Sequence, residues 1–95
     1  MSFEPLTFTA SAKVQGTYLW NDGKKPITYT ETSTASATSN LSQIEAENMA
    51  EQRARLANFL TGHKILVDFV RKLPIEDLSI ADQGEFKWSF KNNLN

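Results

Sequence analysis

The sequence contains no cysteine, which excludes disulfides, thiolate metal ligands and a cysteine nucleophile together. Histidine occurs once, at His63. A lone histidine with no His-x-x-x-His and no matched carboxylate spacing around it does not assemble a metal site, so a structural role is expected for it. Neither sign of charge is in excess: 10 Lys+Arg against 11 Asp+Glu leave a net charge of −1. A chain that tracks phosphates carries a basic footprint, so no nucleic-acid partner is expected. No apolar run approaches the ~18 residues of a bilayer span, and no membrane partner is expected. Glycine-rich phosphate loops, Walker motifs and Gly-x-Ser-x-Gly elbows are missing. The opening Met-Ser-Phe-Glu-Pro has neither a basic n-region nor an apolar h-region. These absences point to a cytoplasmic protein without a cofactor, with the virion or cell surface as the second place. The 95 residues suit one domain, 1–95, with a modest core.

What is present first is alternation. Leu6, Phe8, Ala10, Ala12, Val14, Gly16, Tyr18 and Trp20 share one parity; Thr7, Thr9, Ser11, Lys13, Gln15 and Thr17 share the other. Side chains alternate faces along a strand, so this is a strand with one buried face. Asn21-Asp22-Gly23-Lys24-Lys25-Pro26 reads as a turn. Alternation then resumes, with Ile27, Tyr29, Glu31, Ser33, Ala35 and Ala37 on one face and Thr28, Thr30, Thr32, Thr34, Ser36 and Thr38 on the other. The two runs are predicted to pair as an antiparallel hairpin, Trp20 opposite Ile27, Tyr18 opposite Tyr29, Ala12 opposite Ala35, Ala10 opposite Ala37. A slip of two residues would leave the faces intact. The threonine rows resemble the ice-facing surfaces of antifreeze proteins, but Lys13 and Gln15 interrupt them, and a solvated β-face is the expected reading.

At Ser42 the period becomes 3.6. Ser42 and Glu45 have capping-box spacing. A first helix is predicted to about Leu60, stopped at Thr61-Gly62 with Gly62 as the left-handed cap. Its stripe is Ala46, Met49, Ala50, the Arg53 stem, Ala54, Ala57 and Leu60, with Leu56 at the margin. A second helix is predicted from about His63 to Leu73, ended by Pro74, with a strand over Ile65–Val70 as the alternative. Leu78 and Ile80, a turn at Asp82-Gln83-Gly84 and the alternating Phe86, Trp88, Phe90 suggest one strand and a short one before it. The expected fold class is α+β, a long N-terminal hairpin with two helices on one face and C-terminal strand(s), in the order β-β-α-α-(β)-β.

Length turns this layout into a candidate site. A 14-residue strand is roughly 45–48 Å long at ~3.4 Å per residue. A helix of about 19 residues reaches roughly 28 Å. A helix ending at Leu60 therefore falls short of the hairpin tip. Tyr18, Trp20, Ile27 and Tyr29 are then covered by the C-terminal part, by a partner, or through a bend near Gly16. Glu31 lies on the apolar parity, at a rim or paired with Arg53. These five residues form the candidate interaction site. The other carboxylates are scattered on wet faces and lack the burial or close partner that shifts a general acid. Phe86-Lys87-Trp88-Ser89-Phe90-Lys91 separates aromatics from lysines by parity, which suits a core strand better than a nucleic-acid platform. Asn40-Leu41-Ser42 matches a glycosylation acceptor but reads as a helix entry.

Residues 29 to about 57, Tyr29-Thr-Glu-Thr-Ser-Thr-Ala-Ser-Ala-Thr38, then Ser42-Gln43, Glu45-Ala46 and Ala50, resemble a module of repetitive bacterial and phage surface proteins. That module pairs a Thr/Ala strand with a helix begun by Ser-Gln. The resemblance implies a structural or adhesive building block and supplies no catalytic residues. The leading expectation is a non-enzymatic structural or protein-interaction module, with a protein partner or a homo-oligomer built through the hairpin. The alternative is a small phage- or mobile-element-encoded inhibitor or adaptor that binds a host protein. A small-ligand binder or enzyme, with a pocket between hairpin and helices, comes third.

Overall fold

The computed structural model describes residues 6–21, 26–72 and 85–92. They form β1 (Phe8–Asn21), β2 (Pro26–Ser39), α1 (Gln43–Arg71) and β3 (Glu85–Asn92). The sheet is antiparallel, in the order β2-β1-β3. α+β architecture and a long hairpin are thus present, and every hairpin pair named above is found, from Trp20↔Ile27 to Ala10↔Ala37. Alternation fixes the faces: Ala10, Ala12, Val14, Gly16, Tyr18 and Trp20 are all buried under the helix. Asn21 and Pro26, the ends of the predicted turn, are paired strand residues; its residues 22–25, the turn at 82–84, the Pro74 stop and the short strand at Leu78 and Ile80 lie outside the described residues.

The helix differs from expectation. Two helices meeting at Thr61-Gly62 are replaced by one helix of 29 residues. Ser42 caps its start, accepting from the Glu45 N–H at 3.0 Å. The expected return contact from Glu45 is replaced: Ser39 Oγ accepts from the Ser42 and Leu41 N–H groups. Glu45 in the first turn and Arg71 in the last complement the helix dipole. Gly62 is not a cap. A Cβ there would run into the Tyr18 ring, so this glycine is where the helix passes over an aromatic side chain. Val67 sits inside the helix without breaking it, because packing of the buried face outweighs a small propensity deficit.

The buried line on α1 is Ala46, Ala50, Ala54, Asn58, Gly62, Leu66 and Val70, a strict step of four. Each such step overshoots a full helical turn by ~40°, so the line winds around the helix in a right-handed sense. A two-stranded ribbon is strongly twisted, and the winding line keeps the helix seated on it for its whole length. The predicted stripe followed 3.6 and so placed Ala57 and Leu60 inward with Leu56 at the margin; all three are exposed. Two lines flank the buried one. Arg53, Ile65 and Phe69 lean toward β2, and Glu51, Arg55, Phe59 and His63 toward β3. At ~1.5 Å per residue α1 is about 44 Å long, against about 48 Å for each hairpin strand. The radius of gyration, 18.5 Å, reflects this elongation, since a compact chain of this length has about 12 Å.

The core has two parts. Ala12, Val14, Ala37, Ala50 and Ala54 form one, with Ala35 and Met49 against it. Tyr18, Trp20, Leu66 and Val70 form the other, with Ile27, Tyr29, Phe59, Phe86 and Phe90 around it. β3 pairs with β1 only over Val14–Asn21, the stretch beneath the second part. Burial of Leu66 and Val70 contributes about 1.5–3 kcal/mol each.

Candidate interaction surface

The expected tip site is divided by the length of α1. Tyr18 and Trp20 are buried within their own chain, 0% and 2% exposed, because the helix continues past Gly62 and covers them. The helix that stops short is therefore corrected, and with it the partner as cover for these two rings. Ile27 and Tyr29 are half-buried. With Thr28, Ile65, Leu66 and Phe69 they line a groove of about 340 Å³ between β2 and the C-terminal half of α1. Phe69 is 52% exposed and Ile65 41%, so the apolar surface the sequence placed at the tip exists on the β2 flank.

Toward the middle of α1 from this groove lies a polar junction that the sequence pattern did not reveal. Asn58 stands in the buried line and is fully enclosed. The Tyr18 hydroxyl donates to Asn58 Oδ1 at 2.5 Å. Asn58 Nδ2 in turn donates to the Glu31 carbonyl at 2.7 Å, Ser33 Oγ at 3.1 Å and the Val14 carbonyl at 3.3 Å. Gly16 makes room for it, since a Cβ there would meet both Asn58 and Tyr18. Burial, with the Glu31 charge as the second cause, pushes the Tyr18 hydroxyl from 10.0 up to about 12. The one available signal was spacing: Asn58 and Gly62 continue the four-residue step of Ala46, Ala50 and Ala54.

Glu31 is half-buried on β2. Its carboxylate accepts from the Tyr29 hydroxyl, which raises the Tyr29 pKa, with burial and the Glu31 charge adding to the effect. Arg53 does not pair with it. Arg53 Nη1 donates instead to the Ser36 carbonyl at 3.0 Å, five residues farther along β2 and about 17 Å from Glu31 at strand spacing.

On the opposite flank, His63 is wedged among rings. It stacks on Phe59 at 5.0 Å and meets Phe86 and Trp88 edge-on at 5.4 and 6.2 Å. The β3 end is tied to α1 by Arg55 Nε donating to Asn92 Oδ1 at 3.1 Å, by Asn92 donating to Glu51, and by the Arg55–Glu51 ion pair at 3.1 Å. The lysine-bearing outer face of β3 is as expected, with Lys87 and Lys91 exposed; Phe86 and Phe90 are half-buried and Trp88 is 51% exposed.

The two sheet edges are unlike. β3 presents Glu85, Lys87 and Lys91 within eight residues. β2 runs 14 residues with Glu31 as its sole charge and Pro26 only at its first position. Among the described residues β2 has no strand on its outer side. Comparison with protein-family models, curated proteins and solved structures finds no match. Among the described residues, no three His, Cys, Asp or Glu side chains converge as a metal site, and no helix is long and apolar enough to cross a membrane.

Proposed function

We propose that this chain is a non-enzymatic protein-interaction module that works by strand addition at β2. The observation that carries the reading is the β2 edge itself: long, extended, almost uncharged and bordered by an apolar groove. A strand edge offers a row of backbone donors and acceptors to another chain, and proteins that do not use such an edge blunt it with lysine, proline or a bulge. β3 carries that protection and β2 does not. Main-chain hydrogen bonds would supply affinity, and the groove between Ile27, Tyr29, Ile65 and Phe69 would select an apolar side chain. The groups with chemical potential serve the fold: the Tyr18 hydroxyl and the Asn58 amide hold the helix, and His63 fills space between rings.

The test is a titration of the labelled protein with a peptide copying residues 26–39, followed by NMR. The expected result is shifts in β2 amides and in the Ile65 and Phe69 side chains, with β3 unchanged. Shifts confined to β3 or to the outer face of α1, or no shifts at all, would overturn the reading.

A further inference from the structure

We infer that the strand added to β2 is β2 of a second copy, in an antiparallel two-fold pair centred on Ser33 and closed by reciprocal Glu31–Arg53 ion pairs; this rests on β2 being the working edge. The geometry begins from two charges left apart in one chain. Glu31 and Arg53 both lie on the helix side of β2, yet Arg53 is anchored at the Ser36 carbonyl, five residues away. A two-fold axis at Ser33 sets Glu31 of one copy opposite Ala35 of the other. Arg53 of that second copy then sits one residue along and one strand across, with neighbouring strands ~4.8 Å apart. The axis repeats the pair on the other side.

The rest of the strand suits this register. On the helix side large residues meet small ones: Ile27 opposite Ser39, Tyr29 opposite Ala37. On the outer side Thr28 meets Thr38 and Thr32 meets Thr34, pairs that favour a ladder. An axis at Glu31 would set two carboxylates face to face. An axis at Thr34 would shorten the ladder by leaving residues 27 and 28 unpaired. In the pair, Arg53 exchanges a carbonyl for a carboxylate, the stronger acceptor, and leaves the Ser36 carbonyl to the incoming strand.

Sedimentation equilibrium of the full chain and three variants tests this, with circular dichroism confirming that each is folded. The wild type is expected to dimerise. Glu31→Arg and Arg53→Glu are each expected to weaken the dimer ~100-fold, because each sets like charges together. The exposed Arg53→Gln, which cannot disturb the core, is expected to weaken it ~10-fold. Glu31→Arg with Arg53→Glu in the same chain restores the opposite charges and is expected to recover the dimer. A wild type that stays monomeric, single variants that dimerise like wild type, or a double variant that does not recover would overturn the inference. Amide exchange separates this from failure of the edge reading. Protected β2 amides in a dimer indifferent to the charge swap would remove only the register and its ion pairs. In a monomer, the peptide titration alone decides whether β2 accepts a strand.

Discussion

The two halves of the hairpin are built on different scales. Beneath the N-terminal half of α1, alanines from helix and both strands meet around Val14. Beneath the C-terminal half, Tyr18 and Trp20 fill the space, and β3 is added alongside. Small side chains let a helix settle onto two strands; large ones spread laterally and need a third strand and flanking rings to enclose them. The third strand thus follows the aromatics. The boundary is Asn58, which joins α1 to Tyr18, Val14, Glu31 and Ser33 at once.

The sharpest way to break the aromatic half is Gly62→Val. The new side chain would occupy the Tyr18 ring position, with an expected cost of about 3 kcal/mol in urea unfolding. Both tryptophans of the sequence, Trp20 and Trp88, lie in this half, so their emission should shift red. The matching change in the alanine half, Ala50→Leu, is expected to cost about 2 kcal/mol by overpacking, with tryptophan emission unchanged. A red shift there would mean that the halves are one cooperative unit.

Titration sharpens the comparison further. Tyr18 titrates near 10.0 when unfolded and at about 12 in the fold. Its folded value is raised, so its contribution is fully present below pH 10 and is lost as pH climbs toward 12. Tyr18→Phe should flatten that loss, leaving the part due to Tyr29. The smallest effect is at the helix start, where Ser42→Ala removes the cap for about 1 kcal/mol and leaves the aromatic half untouched.

The faces of the hairpin were legible from a period of two, and the pairing of alanines with alanines and tyrosine with tyrosine pointed to the register found, although a slip of two would have kept the same faces. The helix was legible at its start, where capping chemistry is local. Its continuation was not. Thr61-Gly62 reads as a stop until Tyr18 is known to lie beneath it, and an asparagine among apolar neighbours reads as surface until its four partners are in view. A 3.6 period also misplaces the buried line on a coiled ribbon, which is why Ala57 and Leu60 read as inward and are exposed. The candidate site inherited that error: the aromatics were rightly grouped, but which of them reach solvent depended on where the helix ends.

The clamp of Asn58 and Gly62 on Tyr18 has a consequence for alignment. Ala46, Ala50 and Ala54 are three equal notches, and on them alone the helix could slip by one notch, ~6 Å, with little change in energy. Moving by one notch one way would put Ala54 where Asn58 meets Tyr18 and Asn58 where Gly62 does, leaving a hydroxyl unanswered and adding a collision; moving the other way would put Gly62 and Leu66 in those two places, with the same two consequences. A single tyrosine thus selects one alignment out of several near-equal ones, and so determines which helix side chains stand beside the outer side of β2.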